Sequence, residues 1–150
     1  MIETYYGIVH PWLCDVMGHL TTRHYVAMFD DAHPHLFAAL GISQSNLIKQ
    51  GYGFADVKST LEYRAELSSG DLVLIRSSIV SLGTKSFVHR HEMVNRADDS
   101  IAATMENVTV CFDLNKREAV PIFPELRASA ERYLEEHPQL GASNHQGPTQ

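Results

Sequence analysis

The segment from Asp15 to Thr22 contains the residues of this sequence that are best suited to chemistry. A carboxylate, Gly18 and His19 lie directly before a run whose apolar spacing predicts a helix. Unpaired N–H groups at a helix N-terminus, together with the positive end of the helix dipole, can polarise a carbonyl oxygen. A neighbouring carboxylate can then attack the carbon or activate water, and a glycine lets backbone approach a ligand closely. From these residues alone, Asp15 could equally stabilise a turn and His19 could be a packing residue.

The element that would position this segment is the helix that follows it. Apolar residues recur every three or four positions between Tyr25 and Leu40, which predicts one buried stripe, and Gly41 is a typical helix end. Pro34 lies inside the pattern and predicts a kink or a break in the helix. The opposite, solvated face is predicted to carry Asp30, Asp31, His33 and His35.

A short strand is predicted before the helix and four longer ones after it. The predicted strands are Tyr5–Val9, Val57–Ala65, Leu72–Leu82, Ser86–Asn95 and Ile101–Asp113. Connections of hairpin length predict antiparallel pairing between the later strands. A short helix is predicted at Ser43–Gln50, and Phe123-Pro124 is predicted to open a terminal helix. This order predicts an α+β fold in which a helix lies on one face of an antiparallel sheet.

The composition restricts the class of protein. The 150 residues suffice for one domain, which we expect over residues 1–140, with a flexible tail at 141–150. A formal charge of −6 without a run of Lys and Arg argues against a nucleic-acid partner. No apolar stretch approaches the roughly 20 residues of a membrane span, so no membrane is expected. Two cysteines fit a reducing, cytoplasmic location.

The stretch from Val9 to His19, followed by Tyr25 and Phe29, resembles the signature of the hotdog-fold acyl-CoA thioesterases, in particular the 4-hydroxybenzoyl-CoA thioesterase family. The family pattern is Asp-x-Asp-x-x-Gly-His, in which Asp15, Gly18 and His19 match and Leu13 replaces the first Asp. The similarity continues through Gly51-Tyr52-Gly53, Gly70-Asp71 and the stretch from Lys85 to His91. It implies a curved antiparallel sheet wrapped around a long central helix. It also implies hydrolysis of a short or aromatic acyl-CoA to the free acid and coenzyme A.

The resemblance also implies roles for single residues at the loop. Asp15 would be the nucleophile or general base, and the backbone N–H of Thr22 would hold the thioester oxygen. His19 would contact the acyl group or the attacking water, while Gly18 and Tyr25 would belong to the substrate site.

Three further residues would bind substrate through its coenzyme A part. Lys85, Ser86 and Arg90 fall on or beside the strand at which relatives contact the coenzyme A phosphates. Relatives can carry additional arginines before that lysine, where this sequence has Gly83-Thr84. No cofactor is implied, because coenzyme A is part of the substrate.

The resemblance further implies a homodimer or homotetramer with each site at a subunit interface. Glu62 and Tyr63 are candidates to line the acyl pocket there. The identity of the acyl group stays open, and so does the choice between coenzyme A and an acyl carrier protein. Aromatic and acidic residues make a cationic or quaternary-ammonium acyl group conceivable, namely Trp12, Tyr25, Asp30 and Asp31.

Two other functions on the same fold remain as alternatives. A catalytically silent acyl-CoA-binding module would not need an ionised carboxylate, and a dehydratase or hydratase would use Asp15 and His19 as acid and base. A nucleophilic role for Cys14 lacks an identifiable His with an orienting partner. His89 and His91 share one face of a strand, but no third ligand is evident, so no metal is expected.

Overall fold

The structure is a computed structural model that describes residues 1–141 of the chain. The strands are β1 (Ile2–Ile8), β2 (Tyr52–Tyr63), β3 (Leu72–Leu82), β4 (Ser86–Asn95), β5 (Ile101–Asp113) and β6 (Glu118–Val120). The helices are α1 (Thr22–Ala39), α2 (Gln44–Lys49), α3 (Pro124–Glu136) and α4 (Pro138–Gly141), and a 3₁₀ turn spans Pro11–Leu13. Residues 142–150 of the predicted tail lie outside the described residues. No helix within the described part has the length and apolar character needed to cross a membrane.

The strands form one antiparallel sheet in the order β1-β3-β4-β5-β2, and β6 pairs with β5. The predicted pairings of β3 with β4 and of β4 with β5 are confirmed. The predicted hairpin between β2 and β3 is wrong, because β2 pairs with β5. The connection between them begins alongside β5, where Arg64 and Ala65 donate to the carbonyl of Ala102. It then reaches the segment before α1, where the carbonyl of Leu67 accepts from Leu20. This linker therefore lies beside the segment that contains Asp15.

Helix α1 lies on one face of the sheet and buries the predicted apolar stripe. Its buried residues are Tyr25, Met28, Phe29, Ala32, Leu36 and Phe37. The first half of the helix packs into a cluster with Val9, Leu67 and Met93, and the second half into a cluster with Ile79, Phe87 and α3. Burying a side chain such as Leu36 stabilises the fold by roughly 1.5–3 kcal/mol, so both ends of α1 are held firmly against the sheet.

Two predictions about α1 need correction. The helix is uninterrupted from Thr22 to Ala39, so Pro34 does not break it. His33 was expected on the solvated face, which is wrong, because only 12% of its side chain is exposed. The reason is helical geometry: His33 is four residues from both Phe29 and Phe37, so it belongs to the buried stripe. Asp30, Asp31 and His35 are exposed as predicted.

A group of polar side chains lies beneath α1, between the two apolar clusters. We call it the buried polar layer, and it consists of Thr4, His33, Asp56, Ser77, His89, His91, Asn107 and Thr109. Asp56 is its exposed end, at the edge strand β2. Its members come from α1 and from the five strands β1 to β5, so the layer crosses the whole width of the sheet.

Candidate active site

The segment around Asp15 folds into a tight loop between the 3₁₀ turn and α1. The backbone of Asp15 pairs with that of His19, with an N–H to carbonyl distance of 2.9 Å, and Gly18 donates to the carbonyl of Asp15 at 3.0 Å. Gly18 has a φ of 83°, a left-handed conformation that glycine adopts without strain. Thr21 donates to the carbonyl of Leu13, which closes the loop. Asp15 is thereby held beside the residues that begin the helix.

The carboxylate of Asp15 has one oxygen engaged and one oxygen open. Oδ1 accepts from the backbone N–H of Met17 at 2.9 Å and from that of His19 at 3.4 Å. Within residues 1–141, Oδ2 has no hydrogen-bond partner. The side chain is half-buried, so the loop fixes its direction while one oxygen stays free to react.

The N-terminus of α1 supplies amide donors next to this carboxylate. Thr21 is the N-cap residue, yet its side chain makes no capping hydrogen bond. The N–H groups of Thr22 and Arg23 begin the helix, where the geometry provides no partner within the helix. No acidic side chain lies in the first turn to neutralise the dipole. This end of the helix can therefore stabilise negative charge that develops on an oxygen.

The side chain of His19 extends from the loop and contacts the linker between β2 and β3. Its Nε2 lies 3.3 Å from a carboxylate oxygen of Glu66, and its backbone forms an isolated bridge with Ser68. The ring is 30% exposed, so it is oriented by Glu66 and still reaches solvent.

Aromatic side chains surround the loop. Tyr25 is buried in the first turn region of α1, where burial raises the pKa of its hydroxyl, and it meets the ring of Tyr63 edge-on at 5.2 Å. Tyr63 is half exposed, and Trp12, stacked on His10 at 4.2 Å, is 73% exposed. The rings of Tyr63 and Trp12 are therefore accessible to a ligand, whereas Tyr25 is buried and packs against Tyr63.

Cys14 precedes Asp15 but lacks the surroundings of a nucleophile. Its Sγ lies 3.7 Å from the carbonyl oxygen of His10, and no imidazole nitrogen of the described residues is in hydrogen-bond contact with it.

Lys85, Ser86 and Arg90 lie away from Asp15 within one chain. The Asp15 loop adjoins the start of β3, which pairs with the end of β4, whereas Lys85 and Ser86 are at the opposite end of β4. Ten residues of strand separate the two ends, or roughly 30 Å at about 3.3 Å per residue. Lys85 donates to the carbonyl of Ala119 at 2.9 Å. Arg90 lies on the sheet face opposite α1, 3.3 Å from Glu92.

A cavity of about 460 Å³ lies between the end of α1 and α3, away from Asp15, and is lined by Ala39, Leu40 and Tyr133. The Asp15 loop is at the surface of the single chain, because Val16 and Met17 within it are exposed.

Comparison with known proteins places the chain in a family. Residues 9–129 match the model of the thioesterase-like superfamily. The chain belongs to that superfamily. It is thus a thioester hydrolase, as the resemblance of the Asp15 segment implied.

Two curated relatives have named activities. The betainyl-CoA thioesterase of Pseudomonas aeruginosa is 24% identical over 140 residues, which cover 93% of this chain and 88% of that protein. The L-carnitine dehydrogenase/betainyl-CoA thioesterase of Rhizobium meliloti is 23% identical over 137 residues, which cover 89% of this chain but 27% of that longer protein.

Solved structures confirm the predicted hotdog fold. A gentisyl-coenzyme A thioesterase is 28% identical with a TM-score of 0.75, covering 85% of this chain and 98% of its own. A 1,4-dihydroxy-2-naphthoyl-CoA thioesterase from Synechocystis has a TM-score of 0.76 at 19% identity, covering 85% of this chain and 94% of its own. The curved sheet and its long helix are thus those of the thioesterase fold.

The sequence analysis missed a cluster of three imidazoles in the buried polar layer. One ring nitrogen each of His33, His89 and His91 lies within 4.8 Å of the others. Burial lowers the pKa of His89 to about 3 and that of His91 well below its ordinary value, and it also lowers the pKa of His33. The signal that could have revealed the cluster is the four-residue spacing of His33 from two buried phenylalanines.

Proposed function

We propose that this thioesterase hydrolyses acyl-CoA esters and that Asp15 is its catalytic carboxylate. The observation that carries the proposal is the tethered Asp15 side chain, with one free oxygen, directly before the uncapped N-terminus of α1. The relatives named above act on coenzyme A thioesters, which supports the same leaving group here.

In the proposed reaction, the carbonyl oxygen of the thioester accepts a hydrogen bond from the N–H of Thr22. Asp15 either attacks the carbonyl carbon directly or takes a proton from a water molecule that attacks it. In either case the carbon–sulfur bond breaks and coenzyme A leaves as the thiolate. After direct attack the acyl group is joined to Asp15 as an anhydride, which water then hydrolyses to release the acid and restore the carboxylate. Overall, one water is consumed and the free acid and coenzyme A are formed. A thiolate leaves readily, so the reaction needs neither an acid on the sulfur nor a metal ion.

His19 is proposed to orient the water or the acyl group. Its contact with Glu66 at 3.3 Å supports a fixed ring direction beside the carboxylate. Gly18 is proposed to belong to the substrate site, because its left-handed backbone, with a φ of 83°, turns the chain sharply between Asp15 and His19.

For the acyl group, we propose a small quaternary-ammonium acid such as betaine. Both curated relatives are named for betainyl-CoA, which supports this choice. The exposed ring of Trp12, close in sequence to Asp15, and the overall charge of −6 also favour a cationic group. An aromatic acyl group, as in the gentisyl-CoA enzyme, is the second candidate, which the rings of Trp12 and Tyr63 would equally suit.

A second copy of the chain is proposed to complete the site, in a cytoplasmic homodimer or homotetramer. Strand β2 is a sheet edge whose residues 56–60 are all exposed, and long exposed edges in natural proteins are usually covered. Since Lys85, Ser86 and Arg90 lie far from the Asp15 loop of the same chain, we propose that they contact the coenzyme A bound at the site of another subunit.

The test of the function is thiol release from a panel of acyl-CoA esters. We expect Asp15→Asn to lower kcat by about 10²–10⁴, the range for a general base, with an unchanged melting temperature. Asp113→Asn is the matched control, because its carboxylate also accepts backbone N–H groups, at 2.9 Å from Asn115 and Lys116, but at the far end of the sheet. Full turnover by Asp15→Asn would reject its catalytic role. An absence of thiol release from every ester would favour the silent binding module.

The panel also tests the acyl group. Betainyl-CoA is compared with 3,3-dimethylbutyryl-CoA, in which carbon replaces the charged nitrogen without a change of shape. A cation–aromatic contact of about 0.5–2 kcal/mol predicts a preference of roughly 2- to 30-fold in kcat/KM for the charged ester. Equal rates with both esters would contradict a cationic substrate.

A further inference from the structure

The buried polar layer contains a continuous hydrogen-bonded chain that starts and ends at groups that can only accept. It runs from the carbonyl of Ile75 through Thr4, Ser77, His91, His89 and Thr109 to the carboxylate of Asp56. The protonation of each nitrogen follows from tracing hydrogens inward from both ends.

At the Ile75 end, the hydroxyl of Thr4 donates to the carbonyl at 3.2 Å. Thr4 has a single hydroxyl hydrogen, so Ser77 must donate in the 2.6 Å contact between the two hydroxyls. Ser77 in turn has no hydrogen left for its 2.6 Å contact with Nδ1 of His91. That nitrogen therefore carries the hydrogen, and Nε2 of a neutral His91 has a free lone pair.

At the Asp56 end, the hydroxyl of Thr109 donates to the carboxylate. Nε2 of His89, 2.9 Å from the same hydroxyl, must therefore donate to it. This leaves a free lone pair on Nδ1 of a neutral His89. That atom lies 2.8 Å from Nε2 of His91, so two lone pairs face each other.

The chain is therefore one hydrogen short. It contains six contacts, but the three hydroxyl groups and the two neutral imidazole rings supply only five hydrogens. A cation between the two nitrogens would satisfy both lone pairs. Both rings are fully buried, which disfavours an added proton with its unsolvated charge.

A third imidazole is placed to join the same cation. A ring nitrogen of His33 lies within 4.8 Å of the nitrogens of His89 and His91. Zinc bound tetrahedrally at about 2.0–2.1 Å holds its ligand nitrogens about 3.3 Å apart, a separation that lies between the 2.8 Å and 4.8 Å seen here. The ring of His33 is held on its two sides by Asp56, with 3.8 Å between Oδ2 and Nδ1, and by the amide of Asn107, with 2.9 Å between Nδ2 and Nε2.

We propose that His33, His89 and His91 bind a transition-metal ion of the Zn²⁺ class beneath α1. Imidazole nitrogens are among the donors that suit zinc. The outer nitrogens of His89 and His91 are held by Thr109 and Ser77, the type of support that orients metal-binding histidines in proteins.

No metal was expected from the sequence because a third ligand for His89 and His91 was missing, and α1 supplies one. The site joins α1 and β4, two elements that are far apart in sequence. It is separate from the Asp15 loop, so its role is to stabilise the fold rather than to act on substrate.

The experiment uses the full chain, stripped with a chelator and dialysed against Zn²⁺, with metal content measured by atomic emission. Bound Co²⁺ is followed by visible absorption. We expect one tightly bound ion per chain and a rise in melting temperature on adding Zn²⁺. His35→Ala, an exposed histidine of the same helix, is the matched control and should bind equally.

His33→Ala and His89→Ala should lose more affinity than the roughly 10–100-fold that removal of an outer hydrogen-bonding partner costs. They should also show no rise in melting temperature with Zn²⁺. The wild-type stoichiometry needs no variant, so a folding failure of either variant would not prevent a result. A wild-type chain that binds no stoichiometric ion, or that binds it as tightly after His33→Ala, would overturn the proposal.

Discussion

The Asp15 loop and the buried polar layer differ in whether their polar groups have hydrogen-bond partners within the protein. In the loop, Oδ2 of Asp15 and the N–H of Thr22 have no partner among residues 1–141, and both are near solvent. In the layer, almost every polar atom contacts another, and Oδ1 of Asn107 is an exception. Water satisfies a surface group at little cost, whereas a buried group without a partner costs about 1–3 kcal/mol. Reactive groups are therefore tolerated at the loop, and linked groups are required beneath α1.

One helix connects the two regions. Its N-terminus supplies the amides beside Asp15, and His33, three turns later, belongs to the layer. The comparison predicts that changes at the loop lower activity without lowering stability, and that changes in the layer do the reverse.

After Asp15→Asn, the largest effect is expected from Thr22→Pro. Proline fits the first helical position, and Thr21 already has the extended conformation, φ −67° and ψ 141°, that a residue before proline adopts. The substitution therefore removes one N–H with little change to the backbone. We expect kcat to fall by about 10²–10³, as for loss of an oxyanion donor, with no fall in melting temperature.

Thr22→Ala distinguishes the contribution of the backbone amide from that of the side chain, because alanine removes the side chain and keeps the N–H. It should lose far less activity than the proline variant. Steady-state thiol release gives kcat for both variants, and thermal unfolding gives their melting temperatures. If the proline variant keeps its full kcat, the oxyanion donor is a different group.

A smaller effect, on stability, is expected from Thr4→Val. Valine has the same shape but no hydroxyl, so Ser77 and the carbonyl of Ile75 lose a buried partner. The free energy of unfolding should fall by about 1–3 kcal/mol, while thiol release per folded molecule stays constant. Urea unfolding measures the change. Thr84→Val, at an exposed position between β3 and β4, should stay within about 0.5 kcal/mol of wild type. Equal free energies of unfolding for the two variants would show that the hydrogen bonds of Thr4 do not contribute to stability.

Local elements were predictable from the sequence where the apolar period was clear and turn residues bounded it. The bounds of β3, β4 and β5 match the prediction, as does α3, which begins at Pro124. The start of β2 at Tyr52 was missed, because Gly51 and Gly53 suggested a turn. The strand β6 was also missed, since three residues carry too little pattern.

Long-range relations were harder to predict. The partner of β2 depends on the path of the linker past α1, which no local pattern encodes. The layer unites Thr4 with Ser77, which is 73 positions away, and such contacts follow only from the complete sheet. At the site, the loop before the helix was predictable from residue types and spacing. The distance between Lys85 and Asp15 was not, because it follows from the direction of β4.

Gly18 turns the loop through a φ of 83°, and a Cβ built there meets no atom within 4 Å. Glycine is therefore favoured at this position by the left-handed backbone conformation and not by a lack of space for a side chain. A D-amino acid, whose torsional preferences mirror those of natural residues, would adopt this φ without backbone strain. It would also make the unfolded chain stiffer than glycine does. Position 18 is thus a place where chemical synthesis could attach a reporter group or a cross-linker close to the carboxylate of Asp15 while leaving the path of the backbone as it is.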